Sequence, residues 1–282
     1  MKKQVLITII ALIFVATLFY IGKTTSSQQV AIINKKKEIE SFDIQSFIRT
    51  EVEKKAPSQQ SVINRLENDI TQSNDITQKK NGLEALALYC KDSINLKEGY
   101  LYFTSEAAKL DNSEKNLTFA ARLFLNTLRG EENPLKLDWE SSEAIVLFEK
   151  AIALNGNNDD LRIGLGSCYV FGKGRNGDPQ QTMKGIQELL GVIRKDSNNM
   201  KAQLVLGIGG FISGQYDKAV ARLSKVIIKE PSNLEAIAFL ADTYAAKGDV
   251  SEAIKWYNVS KRLANDEHYS SEVDERIKQL QK

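Results

Sequence analysis

Two stretches of this chain limit its fold more than any other feature. GQYDKAVARLSKVIIKEPSN begins at Gly214, and GDVSEAIKWYNVSKRLANDE begins 34 residues later, at Gly248. In each, an alanine follows at the same offset (Ala219, Ala253), and then a bulky residue (Leu223, Tyr257). Leu206 and Gly207 stand ahead of the first stretch as Leu240 and Ala241 stand ahead of the second. Self-similarity at such a period marks a unit that buries its apolar face only by stacking on its neighbours. Small residues at fixed places let two antiparallel helices cross closely. The glycine ends the first helix of the pair. Pro231 lies just past the second, where a helix cannot continue.

The register extends toward the N-terminus with decreasing clarity. Leu165, Gly166 and Tyr169 fit a first helix, and Gly185, Leu189 and Val192 a second. FGKGRNGDPQ, residues 171–180, lies between them and is expected to be an expanded turn. One unit earlier, Ala121 and Phe124 fit a first helix and Ala144, Phe148 and Ala151 a second, with another expanded turn in EENPLKLDWES, residues 131–141. LEALALYCKDSI and EGYLYFTSEAAKLD form a degenerate pair before that. Ile44, Phe47, Ile48 and Val52 fall at helical spacing, as do Val62, Ile63, Leu66 and Ile70, with Pro57 as a helix start between them. Near the other end, Ser271 and Asp274 read as a helix start, and Val273, Ile277 and Leu280 as the narrow apolar stripe of a capping helix.

The Leu-Gly, Tyr, Ala and Pro positions resemble the tetratricopeptide repeat (TPR), and the whole arrangement resembles bacterial membrane-anchored members of that family. The resemblance implies an all-α fold, an α-α solenoid of TPR helix hairpins behind an N-terminal transmembrane helix. The expected division is an anchor at 1–22, a linker at 23–42 and N-terminal helices with a degenerate repeat at 43–113. The repeat array follows at 114–265, in units 114–158, 159–199, 200–233 and 234–265, and a capping helix closes the chain at 266–282.

The anchor rests on residues 5–22, which carry no charge. At helical rise they span roughly 27 Å, against about 30 Å of hydrocarbon core. The run is longer than the apolar part of a signal peptide and lacks a small-residue cleavage site. Lys2 and Lys3 favour an inside N-terminus, whereas Lys23 and the lysines at 35–37 oppose it. The expected location is the cell membrane, single-pass, with the body on the extracytoplasmic (periplasmic) side.

The chemistry of catalysis is thinly represented. A formal net charge of +2 gives no global field for nucleic acid. His268 is the only histidine, which leaves little for general-base or zinc chemistry. Cys90 and Cys168 are far apart and sit in apolar helical patterns, as buried thiols do. GKT at 22–24 lacks the earlier glycine of a phosphate loop, since Thr17 stands there. GKGRNGD at 172–178 could cradle an anion but reads better as a turn with solvated charges. No cofactor, no metal and no catalytic residue is expected.

What the family resemblance implies is binding: a protein or peptide partner on the concave face, lined by first helices. The corresponding residues are Ile163, Ser167, Val170 and Phe171 in one unit, and Lys201, Leu204, Ile208, Phe211 and Ile212 in the next. Glu235, Ala238, Asp242 and Ala245 follow in the unit after. Four large apolar side chains in the 200–233 unit call for cover. The alternative reading is a structural or oligomer-forming subunit of a membrane-associated complex, with the groove covered by self-association or by the chain's own terminal helices.

Overall fold

The computed structural model describes residues 41–282, which form one compact unit from Phe42 onward. The anchor at 5–22 and the linker up to residue 40 lie outside the described residues. Among the described residues there are thirteen helices and no strand. They begin with α1 (Ile44–Glu53), α2 (Pro57–Gln72), α3 (Ile76–Asp92), α4 (Lys97–Asp111), α5 (Glu114–Leu128), α6 (Pro134–Leu154) and α7 (Asp159–Cys168). A π-helical turn, Tyr169–Gly174, continues α7. Then come α8 (Pro179–Lys195), α9 (Met200–Ile212), α10 (Tyr216–Lys229), α11 (Leu234–Lys247), α12 (Val250–Ala264) and α13 (Glu267–Leu280). None of them is both long and apolar enough to cross a membrane.

Helices α3/α4, α5/α6, α7/α8, α9/α10 and α11/α12 pack as five successive hairpins. Local chemistry places their ends. Asn158, Asn199 and Asn233 stand just before the first helices of three consecutive hairpins, and each accepts a backbone N–H, at 3.1, 3.0 and 3.0 Å. A cap of this kind is worth about 1 kcal/mol. Gly214 and Gly248 follow α9 and α11 at φ +72° and +79°, a left-handed turn that costs glycine nothing.

Burial follows the repeat. One core cluster runs from α4 to α11 and contains the fully buried Phe124, Phe148, Leu189, Leu223 and Leu240. Each such large side chain contributes about 1.5–3 kcal/mol. A second cluster joins α1 to α4 through Ile48, Val52, Ile63, Leu86 and Cys90. A third seats Val273 of α13 against Ala253 and Tyr257. Phe42, assigned from sequence to the linker, belongs to the folded unit: its ring lies 5.1 Å from Phe47 and 5.4 Å from Trp139.

Three local expectations need correction. Helix α13 starts at Glu267 with Asp266 as its cap, so Ser271 is inside the helix rather than at its start. The stretch 131–141 is mostly not a turn, because Asn133 caps α6 and Pro134 opens it, which lengthens that helix at its N-terminal end. The stretch 171–180 is likewise partly helical, through the π turn.

These two extensions hold one another. Lys173 Nζ donates to Asp138 Oδ1 at 2.6 Å and to Ser142 Oγ at 2.6 Å. Arg175 donates to the carbonyls of Leu128 (2.5 Å), Arg129 (3.2 Å) and Glu131 (3.2 Å), and Asn176 to that of Pro134 (3.1 Å). Lys173 is therefore largely covered, whereas Arg175 stays exposed while its guanidinium meets the free carbonyls at the C-terminus of α5, where positive charge is favoured. A Cβ on Gly172 would fall 2.2 Å from Ser141 Cβ, so only glycine permits this contact.

Candidate functional site

The curvature of the stack decides which surface can take a partner. First helices α5, α7, α9 and α11 each touch the next in line, whereas second helices α6, α8, α10 and α12 make no comparable approach. The first helices therefore line the inner curve. The π turn after α7 packs in contact with α9: a Cβ on Gly209 would lie 3.4 Å from a Val170 methyl, an ordinary van der Waals distance. Helix α3 makes no such approach to α5. The first helices pack in succession from α5 to α11, and the inner face is open on the side of α5 that looks toward α3.

The residues expected on the inner face divide accordingly. Ile163, Ser167, Phe171 and Ile208 are buried, Ile208 completely at 0% exposure, and Ser167 Oγ is spent on the Ile163 carbonyl at 2.7 Å. Val170 is buried with them. Leu204, Phe211 and Ile212 are half-buried against the same core, and the Phe211 ring lies 5.8 Å from that of Phe239. Lys201 is exposed and pairs with Asp160 at 3.2 Å. Asp242 accepts from Tyr257 Oη at 2.6 Å and pairs with Arg276 of α13 at 3.0 Å, so it ties down the cap. The apolar face expected to need outside cover is covered by neighbouring first helices. The terminal helices do not supply that cover, since α1 packs on α2 and α4, and α13 on α12.

A different face is displayed. Lys115, Phe119, Arg122, Asn126 and Arg129 recur every three or four residues along α5 and so share one side of it. All five are exposed, and Phe119 keeps 53% of its surface. Among the described residues Lys115 and Arg122 have no ion-pair partner within 4.0 Å. Arg129 crosses the inner face. Its guanidinium lies 4.4 Å from the Phe171 ring centroid and 2.5 Å from Glu235 Oε1 on α11. Leu125, Asn126, Arg129, Ser167 and Phe171 line a cavity of about 460 Å³ at this point. The cation spacing on α5 is present in the sequence, although the large apolar residues of α9 form the stronger pattern.

Three buried groups complete the chemistry. Glu140 is fully buried; Thr127 donates to its Oε2 at 2.6 Å, and Lys97 lies 3.3 Å from its Oε1, off the line of a hydrogen bond. Burial raises its carboxyl above the ordinary range, although Thr127 and Lys97 pull the other way. Cys90 and Cys168 are free buried thiols, and burial pushes Cys90 up to about 12.

The tetratricopeptide repeat family profile matches residues 211–271. No curated protein matches. Among solved structures, a thermophilic TPR protein from Thermus thermophilus is similar at 18% identity and TM-score 0.51, over 71% of this chain and 98% of that one. PilW, described as a widely conserved type IV pilus biogenesis factor, gives 16% identity, TM-score 0.48 and coverage of 71% and 92%. YrrB, described as a TPR protein with an unusual peptide-binding site, gives 20%, 0.45, and coverage of 74% and 97%. At these identities the likeness is one of fold, a TPR-type helical solenoid.

Proposed function

We propose that this TPR protein is a non-catalytic scaffold, tethered to a membrane by residues 5–22, that binds a protein or peptide partner on its inner face beside α5. The observation that carries the reading is the contrast on that face. Hairpins three to five satisfy their own apolar residues, whereas α5 displays an aromatic side chain between two cations that have no ion-pair partner among the described residues. A single exposed aromatic is ordinary on a protein surface; the reading rests on Phe119 sharing one side of α5 with Lys115, Arg122 and Arg129. The uncharged run at 5–22 supports the tether, and Lys2 and Lys3 favour a body outside the cytoplasmic membrane.

A photo-crosslinking residue at Phe119, in the full chain in its native membrane, tests the scaffold. The control is the same residue at Ile228 on α10, which is 76% exposed. An adduct with another protein at Phe119 and none at Ile228 is expected. Adducts at neither position, or only at Ile228, refute the reading. Closure of hairpins three to five favours the second reading, a self-assembling structural subunit. An adduct between two copies of the chain would establish it.

A further inference from the structure

We infer that the outer side of hairpins three to five is a docking face for an anionic lipid bilayer. The inference rests on the tether of the proposed function for the nearness of a membrane, and on nothing from the inner face.

The charge of these hairpins is divided between their two sides. Their second helices, α8, α10 and α12, carry ten lysines and arginines against three acids, whereas their first helices, α7, α9 and α11, carry three against four. All three acids of the second helices are paired within the fold: Glu188 with Arg162, Asp217 with Lys247 and Glu252 with Lys255. Lys184, Arg194, Lys218, Lys229 and Arg262 are exposed, and among the described residues none of them has a carboxylate within 4.0 Å. The acids that follow α8 and α10 are engaged by their own turns. Asp196 accepts the Asn198 N–H at 2.9 Å, and Glu230 accepts the Asn233 amide at 2.8 Å. The basic strip is bounded on both sides, since α6 and α13 each carry two cations against four acids.

Helix stability does not ask for this pattern. Arg194, Lys229 and Arg262 lie in last turns, where the helix dipole favours a cation, but Lys218 lies in the first turn of α10, where it does not. Apolar side chains also stand among the cations. Met183 precedes Lys184, Ile228 precedes Lys229 and Leu263 follows Arg262, one pair to each helix. All three are exposed, Ile228 at 76%. Consecutive second helices lie about 10 Å apart, so the strip is roughly 20 Å wide and as long as the helices.

A bilayer interface answers both features. Lipid phosphates take the cations, and the boundary between headgroups and acyl chains takes Met183, Ile228 and Leu263. The face lies on the outer curve of the stack, so neighbouring hairpins bend away from a flat sheet instead of blocking it. Residues 23–40 can extend at most about 65 Å, so a tether at 5–22 keeps the array within that distance of the bilayer. A nucleic-acid backbone would meet the cations and leave the apolar side chains in water.

The test uses the full chain with Ala221→Cys, on the exposed side of α10, carrying a maleimide fluorophore. Cys90 and Cys168 are fully buried and do not compete for the label. Asn126→Cys, beside the inner-face cavity, is the control position. The labelled chain is reconstituted in vesicles of mixed phosphatidylglycerol and phosphatidylcholine, or of phosphatidylcholine alone. Acrylamide quenching gives the ratio of shielded to accessible label. At position 221 that ratio is expected to be at least about 50-fold higher in the anionic vesicles, and to fall as salt is added. At position 126 it is expected to be the same in both. K218Q with K229Q is expected to lower the ratio at 221 by about 25-fold, about five-fold for each cation. I228S is expected to lower it by about three-fold or more. Circular dichroism of each variant checks that the fold is retained.

Equal shielding at 221 in the two kinds of vesicle overturns the proposal, as does a K218Q/K229Q variant shielded like the parent. Shielding in nonionic detergent alone also overturns it, since the cover is then a second copy. So does shielding by oligouridylate in detergent with none in anionic vesicles. The two readings fail separately. A chain that resists carbonate extraction, with position 221 accessible in anionic vesicles, removes only this inference. A chain released by carbonate, whose label is still shielded by added anionic vesicles, removes only the tether.

Discussion

Hairpins three to five and the region beside α5 are built from the same repeat, yet one half of the inner face is shut and the other open. In the shut half, Val170 reaches Gly209, Phe211 meets Phe239, and Ile208 loses all contact with solvent. In the open half, α3 stands off from α5, and Leu88 and Phe119 keep 54% and 53% of their surface. The difference teaches that apolar character at an inner-face position does not identify a binding surface. The spacing of adjacent first helices decides whether such a residue is core or contact.

The strongest way to break this comparison is one matched pair of substitutions. Ile208→Asp places a charge where no solvent reaches and is expected to cost about 4 kcal/mol or more, enough to unfold the array. Phe119→Asp, on the exposed side of α5, is expected to change stability by less than about 0.5 kcal/mol. Urea unfolding followed by circular dichroism measures both. Equal costs would mean that the two halves do not differ in packing.

A smaller effect concerns the device that shapes the shut half. Arg175→Ala removes three hydrogen bonds to the carbonyls after α5 and is expected to cost about 1–2 kcal/mol. The turns at 131–136 and 174–178 are expected to resist limited proteolysis in the parent because they are docked on each other. In the Arg175→Ala variant the first cuts are expected there. An unchanged cleavage pattern would show that the docking does not protect the turns.

The smallest effect is a pH dependence at the junction of the two halves. Glu140 has its carboxyl raised in the folded state, chiefly by burial. Its contribution to stability is therefore fully present below the unfolded carboxyl pKa and is lost as pH rises through the folded one. Glu140→Gln lacks this loss. The stability of the variant relative to the parent is expected to rise from pH 4 toward neutrality and then level off. A difference that falls over that range would mean the Lys97 ion pair outweighs burial.

The sequence by itself determined the elements and their order. Caps such as Asn158, Asn199 and Asn233, the glycines after α9 and α11, and the small residues of the repeat act within a few residues of where they stand. Their effect is legible wherever the spacing recurs. The cation stripe on α5 was legible in the same way, as a helical spacing. What the sequence left undetermined was the packing between hairpins. Whether 171–180 is a loose turn or a π turn pinned to α6 depends on Ser141, Asp138 and the carbonyls after α5, some 30–50 residues away. Whether Asp242 faces a partner or ties down α13 depends on Tyr257 and Arg276. Those contacts exist only once the hairpins have stacked. Stacking sets the distance between first helices, and that distance decides which inner-face residues water, or a partner, can reach.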